Sequence, residues 1–395
     1  MEIKPEIETV ANIKVIGVGG GGSSAVNRML ASRIHGVEFL VANTDAQALY
    51  MSQANTKLHI GKSVTKGLGA GMDPLIGAKA AEESQNEIRD ALAGAHMVFI
   101  TCGLGGGTGT GAAPIVAELA RDIGALTIAV VTKPFAFEGK QRARIAEEGW
   151  QLLSQKVDAI ITIPNDKILQ IIDKKTTVRE AFMEIDEILQ QGVLGISELI
   201  TVPAMVNLDF ADVKKVMANA GSALMGIGIG SGENRAVEAA KAAISSPLLD
   251  LSTEGAKGVL LMVSGGSDLG MLEINEAAKI VTSSADPDAT IIFGASIDES
   301  LGDEIRISVI ATGFRGRDDI VSKAPKERQQ MESRPMYSPS SPTLFNPPMP
   351  RPVMPAKPPM PRPEESSRSS DEDSSYGNDD DDEIEIPPFI RKKLM

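Results

Sequence analysis

Two glycine-rich segments hold the residues of this sequence best suited to chemistry. The first, residues 17–24, reads GVGGGGSS, and the second, residues 103–111, reads GLGGGTGTG. Each follows a buried-strand pattern and precedes a helical one. Glycine lets the backbone approach an anion closely, and the next helix offers free N–H groups and the positive end of its dipole. Both segments therefore predict phosphate binding.

The first segment alone is compatible with two classes of nucleotide-binding protein. The stretch from Gly17 to Gly22 satisfies G-x-G-x-x-G, with Asp45 as a candidate ribose ligand, as in an NAD-dependent oxidoreductase. The second segment favours a polyphosphate gripped from two sides, because a dinucleotide fold normally needs one such turn. Thr108 and Thr110 add hydroxyl donors. An NAD-dependent oxidoreductase remains the alternative, although the three histidines of this sequence lie in no recognisable catalytic context.

A third segment, Gly61-Lys62-Ser63, resembles the end of a P-loop. That motif requires a glycine five positions before Gly61, where this sequence has Thr56. We expect no strand to lead into the segment and interpret it as a surface loop.

The elements around these segments predict an α/β fold with a parallel sheet covered on both faces. Apolar strand patterns lie at residues 13–18, 37–42, 97–101, 126–131 and 159–163. Helical patterns lie at residues 24–32, 75–93, 111–121 and 177–200. Later strand patterns, at residues 258–264, 289–297 and 304–312, predict a second, smaller α/β domain. The long pattern at 177–200 then reads as a helix connecting the two domains.

Charge and cysteine content exclude several classes. The net charge is −14 over 395 residues, which argues against broad binding to nucleic acid and to anionic lipid. One cysteine, Cys102, allows no disulfide within the chain and suits a reducing cytoplasm. No signal peptide and no apolar run of transmembrane length is apparent, so we expect no direct membrane insertion.

The chain changes character after Gly316. Eight of its 23 prolines precede that point and 15 follow it. Residues 317–363 carry a net charge of +4 and residues 364–385 a net charge of −10, which predicts a disordered, extended linker. The final residues, 383–395, read EIEIPPFIRKKLM and combine apolar anchors with a basic end. This pattern favours a linear docking peptide over a tail without a partner.

The glycine segments lie within a wider resemblance. GGGTGTG at residues 105–111 resembles the phosphate loop of the tubulin and FtsZ superfamily of GTPases. Further stretches resemble its bacterial FtsZ branch, at residues 41–49, 67–71, 131–135, 164–166 and 207–212. The resemblance runs over about residues 12–316 and resumes in the tail.

This resemblance implies a tubulin-like fold in six segments. They are a flexible N-terminus at 1–10, a GTP-binding domain at 11–176, a central helix at 177–202, a second α/β domain at 203–316, the disordered linker at 317–382 and the docking peptide at 383–395. It also implies a head-to-tail polymerising GTPase of the division ring, cytoplasmic and located at the septum beneath the inner membrane.

The resemblance assigns nucleotide contacts residue by residue. Phosphate contacts fall on Gly19, Gly20, Gly21, Gly22, Gly105, Gly106, Gly107, Thr108 and Gly109, with Ala70 and Gly71 sensing the γ-phosphate. Ribose and phosphate contacts fall on Glu138 and Arg142, the guanine pocket on Asn165, Phe182 and Asp186, and further contacts on Asn43, Asp45, Thr132 and Pro134. A carboxylate at Asp186 suits guanine N1–H and the 2-amino group. By spacing alone, however, Phe182 and Asp186 fit plain helix packing better.

Asn207, Asp209 and Asp212 are the candidates for hydrolysis. Two carboxylates three residues apart share a helix face and can orient a water, but beside a triphosphate they would repel it. The resemblance implies that they serve the neighbouring subunit. By composition alone, a helix N-cap at Asp209 is an equally good interpretation. We expect Mg²⁺ to bind through the phosphates and predict no dedicated metal site.

The tail resembles the peptide that docks membrane-tethered division adaptor proteins, through Ile386, Pro387, Phe389, Ile390 and Arg391. The sequence also departs from the family pattern at Ser24, Asp73, Cys102 and Ile185. These departures bear on nucleotide affinity and turnover rather than on the class of protein. A filament scaffold that does not hydrolyse GTP is a third reading, which the hydrolysis candidates argue against.

Overall fold

The computed structural model describes residues 11–32, 34, 36–170, 172–173, 175–201, 209–246 and 255–314. All of these lie within the unit Met1–Lys326. The predicted N-terminus at 1–10, linker at 317–382 and docking peptide at 383–395 lie outside the described residues, as does Asn207.

The strands of the described part form one sheet. They are β1 (Ile13–Val18), β2 (Val37–Asn43), β3 (Thr56–His59), β4 (Met97–Gly103), β5 (Leu126–Lys133), β6 (Ala159–Pro164), β7 (Gly221–Ser231), β8 (Gly258–Gly265), β9 (Thr290–Ile297) and β10 (Glu304–Thr312). Their order across the sheet is β3-β2-β1-β4-β5-β6-β7-β10-β8-β9. From β3 to β7 every pairing is parallel, whereas β10 runs antiparallel to β7 and β8.

Helices connect and cover the strands. They are α1 (Gly19–Ala31), α2 (Ala46–Met51), α3 (Lys62–Thr65), α4 (Pro74–Glu83), α5 (Gln85–Leu92), α6 (Thr108–Asp122), α7 (Lys140–Ser154), α8 (Asn165–Ile168), α9 (Val178–Thr201), α10 (Phe210–Met217), α11 (Arg235–Ile244) and α12 (Met271–Thr282), with 3₁₀ turns at Ala136–Glu138 and Glu299–Leu301. None of these described helices is long and apolar enough to cross a bilayer.

The two domains share the sheet and one of its faces. Strand β7 lies beside β6 and pairs with it in parallel through three residue pairs, which joins the strands of the two domains. One apolar cluster joins α1, α9 and α10 to the first-domain strands and also to β7, β8, β9 and β10. The opposite face is covered by α4 to α7 in the first domain and by α11 and α12 in the second. The predicted fold class, an α/β protein with a parallel-sheet domain and a smaller second α/β domain joined by a central helix, is confirmed.

Two local predictions were wrong. The helix expected over residues 75–93 is two helices, because the Ser84 hydroxyl accepts from the backbone N–H of Gly61 over 3.2 Å and the chain bends there. The segment Gly61-Lys62-Ser63 was expected to be a surface loop with no strand before it. Instead, β3 leads into the segment and α3 begins within it. Strand β3 has four residues and pairs only with β2, so its apolar pattern is weak. The absence of a glycine at Thr56 still excludes a P-loop.

Strand β7 was not predicted because it is rich in glycine. A Cβ at Gly228 would collide with the backbone carbonyl of Ala239 on α11, and one at Gly230 with that of Arg235. The glycines therefore let α11 lie directly on the strand, at the expense of the β-branched pattern that marks a strand in a sequence.

A buried arginine holds together α11, α12 and the turn before β10 in the second domain. Arg235, the first residue of α11, is 7 % exposed. Its Nε lies 2.7 Å from Glu273 Oε1 and its Nη1 lies 2.9 Å from Asp268 Oδ2, while Nη1 also donates to the carbonyl of Asp303 over 2.9 Å. Glu273 in turn accepts from the Gly270 N–H over 2.8 Å at the start of α12. One guanidinium thus joins two helices and the turn before β10.

We expect Arg235→Met to destabilise the fold, because it leaves the Glu273 carboxylate without its cation; the cost should be about 2–3 kcal/mol. Urea unfolding measures it. The hydrogen bond from Arg235 holds the pKa of Glu273 below its usual range, so the difference from wild type should be full at neutral pH and shrink in acid as Glu273 is protonated. Asp268→Asn is the matched control: Asp268 is 55 % exposed, and its change should cost under about 1 kcal/mol.

Candidate nucleotide-binding site

The two glycine segments lie side by side at one edge of the sheet. Strands β1 and β4 are parallel neighbours, so the turns that follow them meet at the same edge. A Cβ on Gly21 would lie 3.2 Å from the backbone nitrogen of Gly103, and one on Gly19 would lie 2.8 Å from that of Gly109. Side chains at these positions would force the segments apart.

The helices begin within the glycine segments rather than after them. Helix α1 starts at Gly19 and α6 at Thr108, so the glycines supply the first-turn N–H groups that have no partner within a helix. A Cβ on Gly20 or Gly106 would meet nothing within 4 Å, which indicates open space in front of both backbones. Thr110 accepts from the Gly105 N–H over 2.9 Å and fixes the second turn. Two helix N-termini thus face one opening, an arrangement suited to a polyphosphate.

A cavity of about 290 Å³ adjoins the glycine segments. Its lining comes from the carboxyl ends of β4 and β5 and from α1, α7, α8 and α9. The lining residues are Gly21, Ser24, Gly103, Leu104, Thr132, Pro134, Glu138, Arg142, Asn165, Phe182, Ile185, Asp186 and Leu189. Eight of the residues predicted to contact nucleotide are among them.

Three predicted contact residues hold polar atoms that are buried without a partner. These atoms are Nδ2 of Asn43, Nε of Arg142 and Oδ1 of Asn165. Buried polar atoms are normally hydrogen-bonded, and leaving one unpaired costs about 1–3 kcal/mol. Asn165 and Arg142 line the cavity, so a bound ligand could supply partners there. This under-satisfaction fits a site built for a polar ligand.

Asp186 is a partly buried carboxylate in the cavity wall, with a side chain that is 19 % exposed. Burial raises the pKa of Asp186 to about 6, against the lowering effect of the Arg28 charge. Phe182, one turn earlier on α9, is 44 % exposed, and its ring packs edge-on against Phe135 at 5.6 Å. An open aromatic face beside a carboxylate suits a purine base.

Glu138 and Arg142 form an ion pair at the side of the cavity. The two side chains approach to 3.2 Å, between Nη1 and Oε2. The other Glu138 oxygen accepts from the Phe135 N–H over 2.8 Å, which fixes the 3₁₀ turn before α7. The ion pair with Glu138 therefore fixes the orientation of the Arg142 guanidinium.

The loop between α3 and α4 rests on the second glycine segment. Ala70 is buried, and a Cβ on Gly107 would lie 2.8 Å from Ala70 Cβ. Gly71 and Met72 follow with positive φ angles of 55° and 64°. Asp73 caps α4 by accepting from the Leu75 N–H over 2.9 Å. The loop predicted to sense the terminal phosphate thus touches the segment predicted to hold it.

Asn43, Asp45 and Thr108 meet near the end of β2. Asp45 caps α2, accepting from the N–H groups of Gln47 and Ala48 over 2.9 and 3.0 Å. Thr108 shares a 2.6 Å hydrogen bond with Thr44. The Asp45 carboxylate thus has a structural role, and Thr108 ties α6 to β2.

The residues expected to depart from the family pattern lie at the cavity or beside the glycine segments. Ser24 and Ile185 line the cavity, and Asp73 caps α4. Cys102 is buried in β4 beneath the second glycine segment, where burial raises the pKa of its thiol to about 12. The thiol is therefore protonated and unreactive at neutral pH.

Asp209 and Asp212 lie at the opposite edge of the sheet. Asp209 caps α10 by accepting from the Ala211 N–H over 3.2 Å, and both carboxylates are exposed. The ring of Phe210 lies 6.3 Å from that of His96, which immediately precedes β4. The cavity is at the other end of β4, and seven residues of strand span roughly 20 Å. The structure therefore does not bring these carboxylates to the cavity of their own chain.

The site residues named from the sequence did not include Leu189 in the cavity wall or Arg28 beside Asp186. Leu189 looks like an ordinary core residue, and the packing of α9 beside α1 and β5 brings it to the cavity. Gly103 and Leu104, which also line the cavity, belong to the second glycine segment.

No three His, Cys, Asp or Glu side chains among the described residues lie close enough together to hold a metal ion.

Comparison with known proteins gives the class. The profile of the Tubulin/FtsZ family, GTPase domain, matches residues 12–173, which contain both glycine segments. The profile of the FtsZ family, C-terminal domain, matches residues 221–315. The chain is a tubulin-like GTPase.

Solved structures give the family. The empty FtsZ dimer of M. jannaschii is 48 % identical, with a TM-score of 0.75, and the match covers 78 % of this chain and 89 % of that chain. CetZ2 from Haloferax volcanii, solved as a GTPγS-bound protofilament, is 20 % identical with a TM-score of 0.66, over 79 % of this chain and 96 % of that chain, and shares the fold. This chain belongs to the FtsZ family. The resemblance is confirmed, and the oxidoreductase alternative is set aside.

We expect Asp186→Asn to stabilise the nucleotide-free protein at about pH 8, because folding raises the pKa of Asp186 and so disfavours its charged form. The stability that this group contributes is lost as pH rises through about 6, so the gain in unfolding temperature should shrink towards about pH 5. Thermal unfolding measures it. Glu184→Gln, at an exposed position of the same helix, is the control. Equal effects of the two variants would contradict the buried-charge argument.

Proposed function

We propose that this protein polymerises head to tail and hydrolyses GTP at each junction, with Asp209 and Asp212, together with Asn207, supplied by the next subunit. The observation that carries the proposal is the separation of these exposed carboxylates from the cavity, at opposite edges of a parallel sheet. A head-to-tail contact brings one edge of a subunit against the other edge of its neighbour. The dimeric FtsZ of M. jannaschii supports self-association.

The charges make supply in trans physically reasonable. Two carboxylates fixed beside a triphosphate would weaken nucleotide binding by repulsion. If the carboxylates belong to a second subunit, the monomer binds nucleotide without that repulsion. The carboxylates then reach the triphosphate only on assembly. There they orient the attacking water.

The cavity residues suit GTP. The N-termini of α1 and α6 and the loop at Ala70 and Gly71 would hold the phosphates, with Arg142 beside them. Asn165 and Asp186 would read the guanine edge, which offers N1–H and 2-amino donors that adenine lacks. Phe182 would stack on the base. The negative charge of the phosphates would be offset by Mg²⁺ bound to them.

The sharpest test mixes two variants that are each expected to be inactive. Asp212→Ala keeps its cavity but lacks a catalytic carboxylate, and Asp186→Asn keeps Asp212 but has a damaged guanine site. We expect each alone to lose GTP turnover. A mixture should regain part of it, because some junctions then join an intact cavity to an intact Asp212.

Phosphate release over time gives turnover, and pelleting confirms co-assembly. The control is Lys215→Ala, an exposed change on α10. Wild-type turnover should also show a threshold in protein concentration. A mixture without regained activity, or turnover per subunit constant on dilution, would mean that each monomer carries a whole site. Filaments with no turnover in the wild type would favour a non-hydrolysing scaffold.

The tail is proposed to link these filaments to the division site. The chain would act in the cytoplasm at the septum, in a ring beneath the inner membrane. Membrane-tethered adaptors would bind Ile386, Pro387, Phe389, Ile390 and Arg391 at the end of the linker.

Deletion of residues 383–395 should leave assembly and GTP turnover intact, because the docking peptide takes no part in the junction. It should remove retention at the membrane. Sedimentation of the purified protein and imaging of the tagged protein in cells measure the two effects, with Phe389→Ala as the point-variant counterpart. An assembly defect in the deletion would show that the tail belongs to the filament contact itself.

A further inference from the structure

A cation outside the cavity faces the carboxylate inside it. Arg28, near the end of α1, lies with Nε 3.9 Å from Oδ2 of Asp186, and it is not part of the cavity lining. One turn further along both helices, the Ser32 hydroxyl donates to Oε1 of Gln190 over 3.0 Å. These contacts hold α1, which begins in the first glycine segment, against α9, which carries Asp186.

The other charged groups around Asp186 have different environments. Glu138 and Arg142 border the cavity but pair with each other at 3.2 Å. Next to Asp186 on α9, Glu184 and Glu187 are exposed. Helix α8 contributes Asp166, which accepts from the Ala136 N–H over 2.9 Å, and Lys167. Burial raises the pKa of Asp186, and Arg28 is the neighbour whose charge lowers it.

We propose that Arg28 is a positioning residue for guanine recognition, which keeps the Asp186 carboxylate ionised and available to the base. The inference rests on the proposed role of Asp186 in guanine binding. A gap of 3.9 Å is too long for a hydrogen bond, so Arg28 acts through its charge and leaves both carboxylate oxygens free. Ionised Asp186 can accept from N1–H and from the 2-amino group together. Protonated Asp186 would present a donor to one of them.

The test is GDP affinity as a function of pH, measured by calorimetry on the full-length protein. GDP is the probe because it binds without a catalytic step. Wild-type affinity should fall as pH drops through about 6. In Arg28→Gln the fall should move up by on the order of one pH unit. The variant then binds GDP several-fold more weakly near neutral pH and as well as wild type at about pH 8.5. Arg28→Lys should restore the wild-type profile.

Two outcomes overturn the proposal. If Arg28→Gln weakens GDP binding by the same factor at every pH, Arg28 only packs α1 on α9. A profile identical to wild type means that Arg28 has no effect on the carboxylate. Asp186→Asn, tested in parallel, separates these failures from failure of the proposed function. If Asp186→Asn loses GDP binding while Arg28→Gln gives either of these outcomes, only the Arg28 inference is rejected. If Asp186→Asn binds GDP as well as wild type does, the guanine assignment is rejected as well.

Discussion

The site and the assembly both depend on one constraint, the shared direction of the neighbouring strands β3, β2, β1, β4, β5, β6 and β7. Parallel strands joined by crossover helices bring every strand-to-helix turn to the same edge. The glycine segments, the cavity and the Ala70 loop therefore converge there, while Asp209 and α10 fall at the other edge. A chain with two chemically different ends associates heterologously, which produces an open filament when the rotation does not close.

The binding edge is left under-satisfied, in contrast to the second domain. Asn43, Arg142 and Asn165 keep buried polar atoms without partners, and Asp186 is held where burial disfavours its charge. Arg235 in the second domain, by contrast, has two carboxylates and a carbonyl as partners. A ligand that satisfies the binding edge binds the folded state preferentially and stabilises it by mass action.

The sequence pattern was sufficient to predict the centre of the fold and the place of the glycine segments beside the cavity. Strands β1, β4, β5 and β6 are buried on both faces, so they read as apolar runs, and the glycine segments after β1 and β4 predicted phosphate binding at the edge where the cavity lies. Strand β7 was missed because its glycines serve contact with α11. By spacing alone Phe182 and Asp186 resemble helix packing, and only family resemblance singled them out. Arg28 meets Asp186 across 158 residues of chain, a pairing for which a sequence carries no local signal.

Helix α9 connects the cavity to the second domain. Its 24 residues span roughly 36 Å, with Asp186 at the cavity. Towards its other end, Gly192 lies against β5 and β7, and burial raises the pKa of Glu198, with Arg306 of β10 as the opposing charge. Helix α9 packs on the shared face against strands of both domains, and the chain beyond it leads to Asp209. The Arg28–Asp186 and Ser32–Gln190 contacts fasten this helix to α1, so the elements proposed to read guanine and phosphate are joined to each other directly.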